Sequence, residues 1–282
     1  MRGKKTAGQG PLHPERVQRA LAWRWRLATA PGRALPDFVI LGAQRSGTTS
    51  LFDHLSHHRQ ILAPWRKEIH FHDLHHSRGI RWYRANFPLT RFIGPDQITG
   101  EATPNYLVHP DAPPRLARVT PQAKLVVMVR NPVERAHSAW RLRSMEGRET
   151  ATFEEAVRKE YDGPVSTIGD FHQDRKGVGD ALRYLYLAKG RYAEQIQRWL
   201  EHFPQERLLV IKSEDLFSDP EPVLSELWRF LGVGTGNGAS FPAINQTSPA
   251  PIDPGFRSRL VAYFEPHNQV LEELVGRPFH WE

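Results

Sequence analysis

Cysteine is absent from all 282 residues. That excludes disulfides, haem-thiolate ligation and thiol chemistry, and it fits a reducing compartment, so a cytoplasmic location is expected. No apolar run is long enough to span a bilayer, and the first residues lack the apolar core of a signal peptide. A soluble chain is therefore expected. No internal repeat is visible and no His-Glu-x-x-His zinc pattern occurs. Acidic residues are nearly missing from one end: residues 1–35 carry eight Lys/Arg against Glu15 alone, a charge of +7 that equals the formal net charge of the whole chain. The remainder is formally neutral, which gives it little field for attracting a polyanion. An apolar fraction of 39% with 24% charged residues is that of a folded chain rather than a disordered one.

The most informative stretch runs from Asp37 to Leu51, Asp-Phe-Val-Ile-Leu-Gly-Ala-Gln-Arg-Ser-Gly-Thr-Thr-Ser-Leu. An apolar run, Phe38 to Leu41, stops at Gly42 and passes through a loop into hydroxyl residues and an amphipathic segment. This is a strand, an anion-cradling turn and a helix start, whose free N–H groups and dipole favour negative charge. The spacing Gly42-x4-Gly47 matches the first part of a P-loop, but Thr48 stands where a P-loop has its lysine and the basic residue is Arg45. A nucleoside triphosphatase needs that lysine on the terminal phosphates, so a nucleotide kinase is the weaker alternative.

Lys124 to Trp140 repeats the grammar. Leu125 to Val129 is a continuous apolar run, as for a strand buried on both faces; Arg130 stands at its end, Pro132 suits the first helical turn and Ser138 lies two turns on. Ligands of open parallel sheets sit outside the carboxyl ends of strands. Two such ends, each with an arginine and hydroxyls, suit a nucleotide carrying anionic groups at both of its ends.

At these residues the chain resembles the sulfotransferase family. Gln44-Arg-Ser-Gly-Thr-Thr49 is similar to its 5′-phosphosulfate loop, and Val129-Arg-Asn-Pro-Val-Glu-Arg-Ala-His-Ser138 to its 3′-phosphate motif. Lys67-Glu-Ile-His-Phe-His-Asp73, Arg78-Gly-Ile-Arg-Trp-Tyr83, Gly100-Glu-Ala-Thr-Pro-Asn-Tyr106 and the stretch Tyr263 to Leu274 resemble the heparan sulfate N- and 3-O-sulfotransferase branch. The resemblance covers residues 36–282 and implies an α/β three-layer sandwich around a parallel sheet, with 1–35 as a basic N-terminal extension. It implies 3′-phosphoadenosine-5′-phosphosulfate as donor, the 3′,5′-bisphosphate as product, no metal, and a hydroxyl or amine of a carbohydrate, glycolipid or small metabolite as acceptor. Glu68 takes the position of the base, and Arg45 that of the lysine on the leaving group. Arg45 keeps the charge, but its pKa is too high for it to give up a proton. Gln44, Ser46, Gly47, Thr48 and Thr49 would surround the 5′ groups, with Arg130 and Ser138 on the 3′-phosphate. Tyr192 is a further donor contact, and His70 and Arg191 are weaker candidates near the acceptor; Glu101 is a weaker second carboxylate candidate there, whose place in the branch's motif favours a structural or cleft-shaping role over direct contact. Taken singly, Arg130 could be a surface ion-pair residue and Glu68 a solvated carboxylate; the ordered combination is what speaks for a site. A catalytically inactive nucleotide- or glycan-binding module is the alternative from another class.

Seven histidines crowd residues 54–76, and His54 and His58 share a helical face, but neither cysteine nor a zinc pattern accompanies them. Residues 16–28 suit a helix carrying Leu21, Trp23, Trp25 and Leu27, either docked by its tryptophans or serving as an arm for an anionic membrane or polymer. No nucleic-acid motif accompanies it. Further along, the pattern predicts a helix over 47–58, a loop-rich insert over 64–121, a helix over 152–160 and an irregular stretch over 161–179. A long helix over 182–203, a strand over 207–211, a helix over 223–231 and a glycine-rich link over 232–238 follow. The branch carries a basic turn before its last helix; here Asn245 to Pro251 holds no basic residue.

Overall fold

Residues 37–42 lose the polar alternation of a half-exposed strand because both of their faces are covered: Phe38 to Leu41 are wholly buried. In the computed structural model, which describes residues 14–161, 185–236 and 251–281, the strands are β1 (Phe38–Gly42), β2 (Ile61–Leu62), β3 (Ile98–Ala102), β4 (Lys124–Val129) and β5 (Leu208–Lys212). They form one parallel sheet in the order β2-β3-β1-β4-β5, with Phe38 paired to Gly100 on one side and to Lys124 on the other. Gly100 is required there, since a Cβ would lie 2.4 Å from the Phe38 ring.

The helices are α1 (Pro14–Ala28), α2 (Thr48–Ser56), α3 (Gly79–Arg84), α4 (Ala112–Val119), α5 (Pro132–Met145), α6 (Phe153–Tyr161), α7 (Tyr192–Leu200), α8 (Ser213–Ser218), α9 (Pro220–Leu231) and α10 (Pro254–Val275). Alternate strand residues sort them into layers. Phe38, Ile40, Val126 and Met128 pack on Leu51 and Leu55 of α2 and on Leu227 and Trp228 of α9. Val39, Leu41, Leu125 and Val127 pack on Leu116 of α4, Ile196 and Trp199 of α7 and Leu271 of α10. The result is the α/β three-layer sandwich with a central parallel sheet.

The sheet reaches into the stretch expected to be a loop-rich insert. β3 pairs directly with β1, and its polar residues are the reason its character was hidden: Thr99 donates its hydroxyl to Leu62 O at 2.6 Å, and Glu101 is wholly buried among side-chain partners. The rest of that stretch forms a smaller core of Ile69, Phe71, Trp82, Tyr83 and Phe87, against which Trp23 and Leu27 of α1 pack. Arg26 fastens α1 by donating to Ala85 O at 2.6 Å and Phe87 O at 2.8 Å, and Arg33 donates to Phe87 O at 2.7 Å.

The helix expected from 182 begins only at Tyr192 among the described residues. Leu187 N and Ala188 N donate to the half-buried Glu160 carboxylate at 3.0 and 2.9 Å, which spends on a side chain the groups a helix would use. Helix α6 has a reciprocal cap: Glu155 N donates to Thr152 Oγ1 at 3.3 Å and Thr152 N to Glu155 Oε2 at 2.9 Å. Helix α10 starts earlier than the resemblance alone marked, where Asp253 Oδ1 accepts from Phe256 N at 2.8 Å. The stretch 162–179 and the segment Asn245 to Ala250 lie outside the described residues.

Candidate active site

The turn between β1 and α2 sits at the carboxyl edge of the sheet, and it depends on backbone that side chains rarely adopt. Arg45 has φ 73° and Gly47 φ 88°. A Cβ on Gly47 would stand 2.8 Å from the Phe217 ring, so glycine is dictated by space as well as conformation. Ala43 N donates to Met128 O at 2.7 Å and locks the turn to β4.

This arrangement brings the two strand ends together. Arg45 Nε donates to Ser138 Oγ at 3.0 Å, Arg130 Nη1 to Arg45 O at 3.3 Å, and Tyr192 OH to Arg130 O at 2.9 Å. Ser46 is buried beside the Tyr192 hydroxyl. Burial, followed by the neighbouring Arg130 charge, pushes the Arg45 pKa down, with Glu146 opposing. Two guanidiniums held this closely, with hydroxyls and the start of α2 around them, form a cradle that an anion would relieve. Gln44 Oε1 accepts from Lys189 Nζ at 3.2 Å. Thr48 is buried in the first turn of α2, and the hydroxyl of Thr49 accepts from Lys67 Nζ at 2.5 Å. The turn of Arg45 toward Ser138 follows from its left-handed backbone, which no residue pattern announces.

The second half of the site hangs from the end of β3. Glu68 N donates to Ala102 O at 3.0 Å, and Glu68 and His70 both take φ 55°. Between and after them, Ile69 and Phe71 are buried anchors, which turns Glu68 outward with 46% of its side chain exposed. Behind it stands a line of partners. His70 Nε2 lies 3.6 Å from Glu68 Oε2, His70 Nδ1 lies 2.8 Å from Asp73 Oδ2, and Asn105 Nδ2 donates to that same oxygen at 2.9 Å. Burial works against a charged His70 ring, but the hydrogen bond to Asp73 and the nearby Glu68 carboxylate outweigh it and raise its pKa to about 9. The His70 ring beside it is the main cause holding the Glu68 carboxyl below its usual range; burial opposes and Lys67 assists. At neutral pH Glu68 is thus an ionised, oriented carboxylate, the state a proton acceptor requires. Asp73, Asn105 and Lys67 were missed as site residues. Asp73 and Lys67 close the two ends of the Lys67-to-Asp73 motif, which was the available signal.

Two candidates need correction. Glu101 is fully buried and cannot meet an acceptor: Tyr83 OH donates to it at 2.5 Å and Thr103 Oγ1 at 2.8 Å, with Tyr106 OH at 3.4 Å. Burial raises its pKa to about 7 against those bonds. Arg191 is buried against Glu194 at 3.5 Å and bonded to Tyr263 of α10, so it braces α7 on the last helix instead of the acceptor side. Three of the clustered histidines serve packing: His54 and His58 stack on Trp228, and His72 is buried against Tyr83 and Tyr106.

Comparison with known proteins identifies the family. The model of the sulfotransferase domain family matches residues 35–248. The heparan sulfate glucosamine 3-O-sulfotransferase 6 of Mus musculus is 30% identical over 91% of this chain and 77% of its own length. The membrane-associated sulfotransferase kil1 of Dictyostelium discoideum is 28% identical over 88% of this chain and 67% of its own length. Among solved structures, a sulfotransferase from Alicyclobacillus acidocaldarius superposes with a TM-score of 0.69 at 30% identity, covering 87% of this chain and 98% of that one.

Proposed function

The chain belongs to the sulfotransferase family, and from that premise we propose that it moves a sulfuryl group from 3′-phosphoadenosine-5′-phosphosulfate to a hydroxyl or amine of a carbohydrate. The observation that carries this reading is the union of the Arg45–Arg130–Ser138 cradle with an ionised Glu68 held by His70 and Asp73. The first suits a nucleotide anionic at both ends. The second suits removal of a proton from an acceptor.

In the proposed reaction Glu68 accepts the acceptor's proton while the acceptor's oxygen or nitrogen bonds to sulfur in line. The bond between sulfur and the 5′-phosphate oxygen breaks, and its electron pair leaves on the bisphosphate. Arg45, Gln44, Ser46, Gly47, Thr48 and Thr49 surround the 5′ groups, Arg130 and Ser138 hold the 3′-phosphate, and Tyr192 fixes the carbonyl of Arg130. Fixed cations and N–H groups supply the charge stabilisation, so no metal is invoked. His70 keeps Glu68 oriented. The glycan acceptor rests on the similarity to a heparan sulfate glucosamine 3-O-sulfotransferase.

No helix among the described residues is long and apolar enough to cross a membrane. Helix α1, docked through Trp23 and Leu27, leaves Val17, Leu21 and Trp25 exposed in an i, i+4, i+8 row within the segment that carries the excess positive charge. That supports a peripheral contact with an anionic membrane, which sedimentation with anionic against neutral vesicles at rising salt tests. The lack of cysteine supports a reducing, cytoplasmic setting.

The experiment for the donor site is calorimetric titration with 3′-phosphoadenosine-5′-phosphate, beside ATP with Mg²⁺, on the wild type and Arg130→Ala. Loss of a charged hydrogen-bond pair should weaken bisphosphate binding about 10- to 100-fold. Absence of bisphosphate binding in the wild type would overturn the proposal, and selective binding of Mg-ATP would favour a kinase.

A further inference from the structure

The replacement of the loop lysine by Arg45 leaves a chemical gap. A leaving phosphate oxygen gains charge as sulfur departs, and a lysine at this place can give it both a hydrogen bond and a proton. Arg45 supplies charge but holds its protons too tightly for the second task. Its Nε is also engaged with Ser138 Oγ at 3.0 Å.

Lys67 stands at the junction the gap concerns. Its Nζ donates to Thr49 Oγ1, in the first turn of α2, at 2.5 Å, and to Glu68 Oε1 at 3.3 Å. One ammonium thus touches both the phosphosulfate loop and the base. The group in transfer passes between these two, because the donor's 5′ end lies at the loop and the acceptor's proton goes to Glu68. Lys67 keeps 23% of its side chain exposed beside the 46% exposed Glu68. Its three donors on a flexible stem can stay on Thr49 and Glu68 and still meet a third oxygen.

We propose that Lys67 is a catalytic residue, the proton-donating cation that this site uses in place of a loop lysine. The inference rests on the sulfuryl-transfer reading above. The balance closes within the pair. Glu68 takes the proton of the acceptor, and Lys67 gives a proton to the 5′-phosphate oxygen as its bond to sulfur breaks. The proton on Glu68 then crosses the 3.3 Å contact to Lys67 and restores both groups. No oxidant, metal or further reactant enters. The acceptor's proton ends on the leaving group, and sulfur exchanges one oxygen for another oxygen or a nitrogen.

The test compares wild type, Lys67→Ala and Lys67→Arg in single-turnover experiments with sulfur-labelled donor, using a chitooligosaccharide and, separately, water as acceptor. Bisphosphate binding is measured on the same proteins by calorimetry. Loss of a proton donor in the transition state predicts a rate for Lys67→Ala lower by about 100-fold or more, with bisphosphate affinity within about fivefold of wild type. Lys67→Arg should likewise keep binding and recover little of the rate. Methylammonium added to Lys67→Ala should restore part of the rate, which a residue serving only to brace Thr49 would not allow. A Lys67→Ala rate within about threefold of wild type overturns the proposal. So does a fall in rate matched by an equal fall in affinity without rescue by the amine. A wild type that binds no bisphosphate sinks the donor reading itself, whereas one that binds it but never turns over in either acceptor removes the role of Lys67 and favours the inactive-module alternative.

Discussion

Glu68 and Glu101 sit on neighbouring segments, joined where Glu68 N meets the carbonyl of Ala102, yet the fold drives them in opposite directions. Glu68 opens to solvent and gains a histidine, a lysine and a left-handed backbone that turns it outward. Glu101 is sealed among Tyr83, Thr103 and Tyr106. The first has its pKa lowered, mainly by His70; the second has its pKa raised to about 7 by burial. Both occur in motifs shared with one enzyme branch; position within the motifs already set Glu68 as base against Glu101 as support, and residue type alone could not. Environment accounts for that division.

Replacing both carboxylates in turn is the hardest test of that contrast. Glu68→Gln should lower the single-turnover rate by about a thousandfold, within the range of general-base losses, and leave bisphosphate binding intact. A surviving rate would erase the distinction. Removing the ring behind the base sharpens it: His70→Gln should cost about tenfold in rate and move the acid limb of the pH–rate profile upward, because the main cause lowering the Glu68 pKa is gone. In stability the His70 pKa is raised to about 9, so its contribution is complete below the ordinary histidine value of 6.5 and lost as pH rises through 9. The melting-temperature gap between wild type and His70→Gln should close over that interval.

Glu101→Gln should change the rate by less than about threefold and show itself in stability instead. The buried carboxyl favours its neutral form, so its contribution is present below 4.5 and lost as pH rises through 7. Thermal melts should therefore show the wild type losing ground to the amide variant between those values, by up to about 3 kcal/mol. The smallest effect is expected from Tyr83→Phe, which removes one bond to Glu101 and should cost about 1–3 kcal/mol of stability with the rate nearly unchanged.

How much was legible follows the same physics. β1, β4 and β5 announce themselves because strands covered on both faces read as unbroken apolar runs. β3 does not, since Thr99 and Glu101 are polar residues satisfied by partners far along the chain, and hydropathy is blind to satisfaction. The turn holding Gly47 was readable from its spacing. The swing of Arg45 onto Ser138 was not, because it depends on a backbone angle. The helix expected from 182 was misread for a related reason: Glu160 intercepts the N–H groups of Leu187 and Ala188 from outside the segment. Glu68 and His70 were reachable through their motif, whereas Lys67 and Asp73 took on meaning only once distances existed.

The arginine clasp of the first helix carries a message about order of assembly. Arg26 and Arg33 seize carbonyls only 54 to 61 residues ahead, and Glu68 hangs within that span. The donor cradle must wait for Arg130, Ser138 and Tyr192. During synthesis from the amino end, the clasp is therefore available before the half that holds the nucleotide is made, and Glu68 gains its last supports when Ala102 and Asn105 follow. Pulse-labelled hydrogen exchange on refolding chains should find the amides of residues 82–89 protected before those of residues 208–212; the reverse order would show that the sheet closes first and the clasp follows.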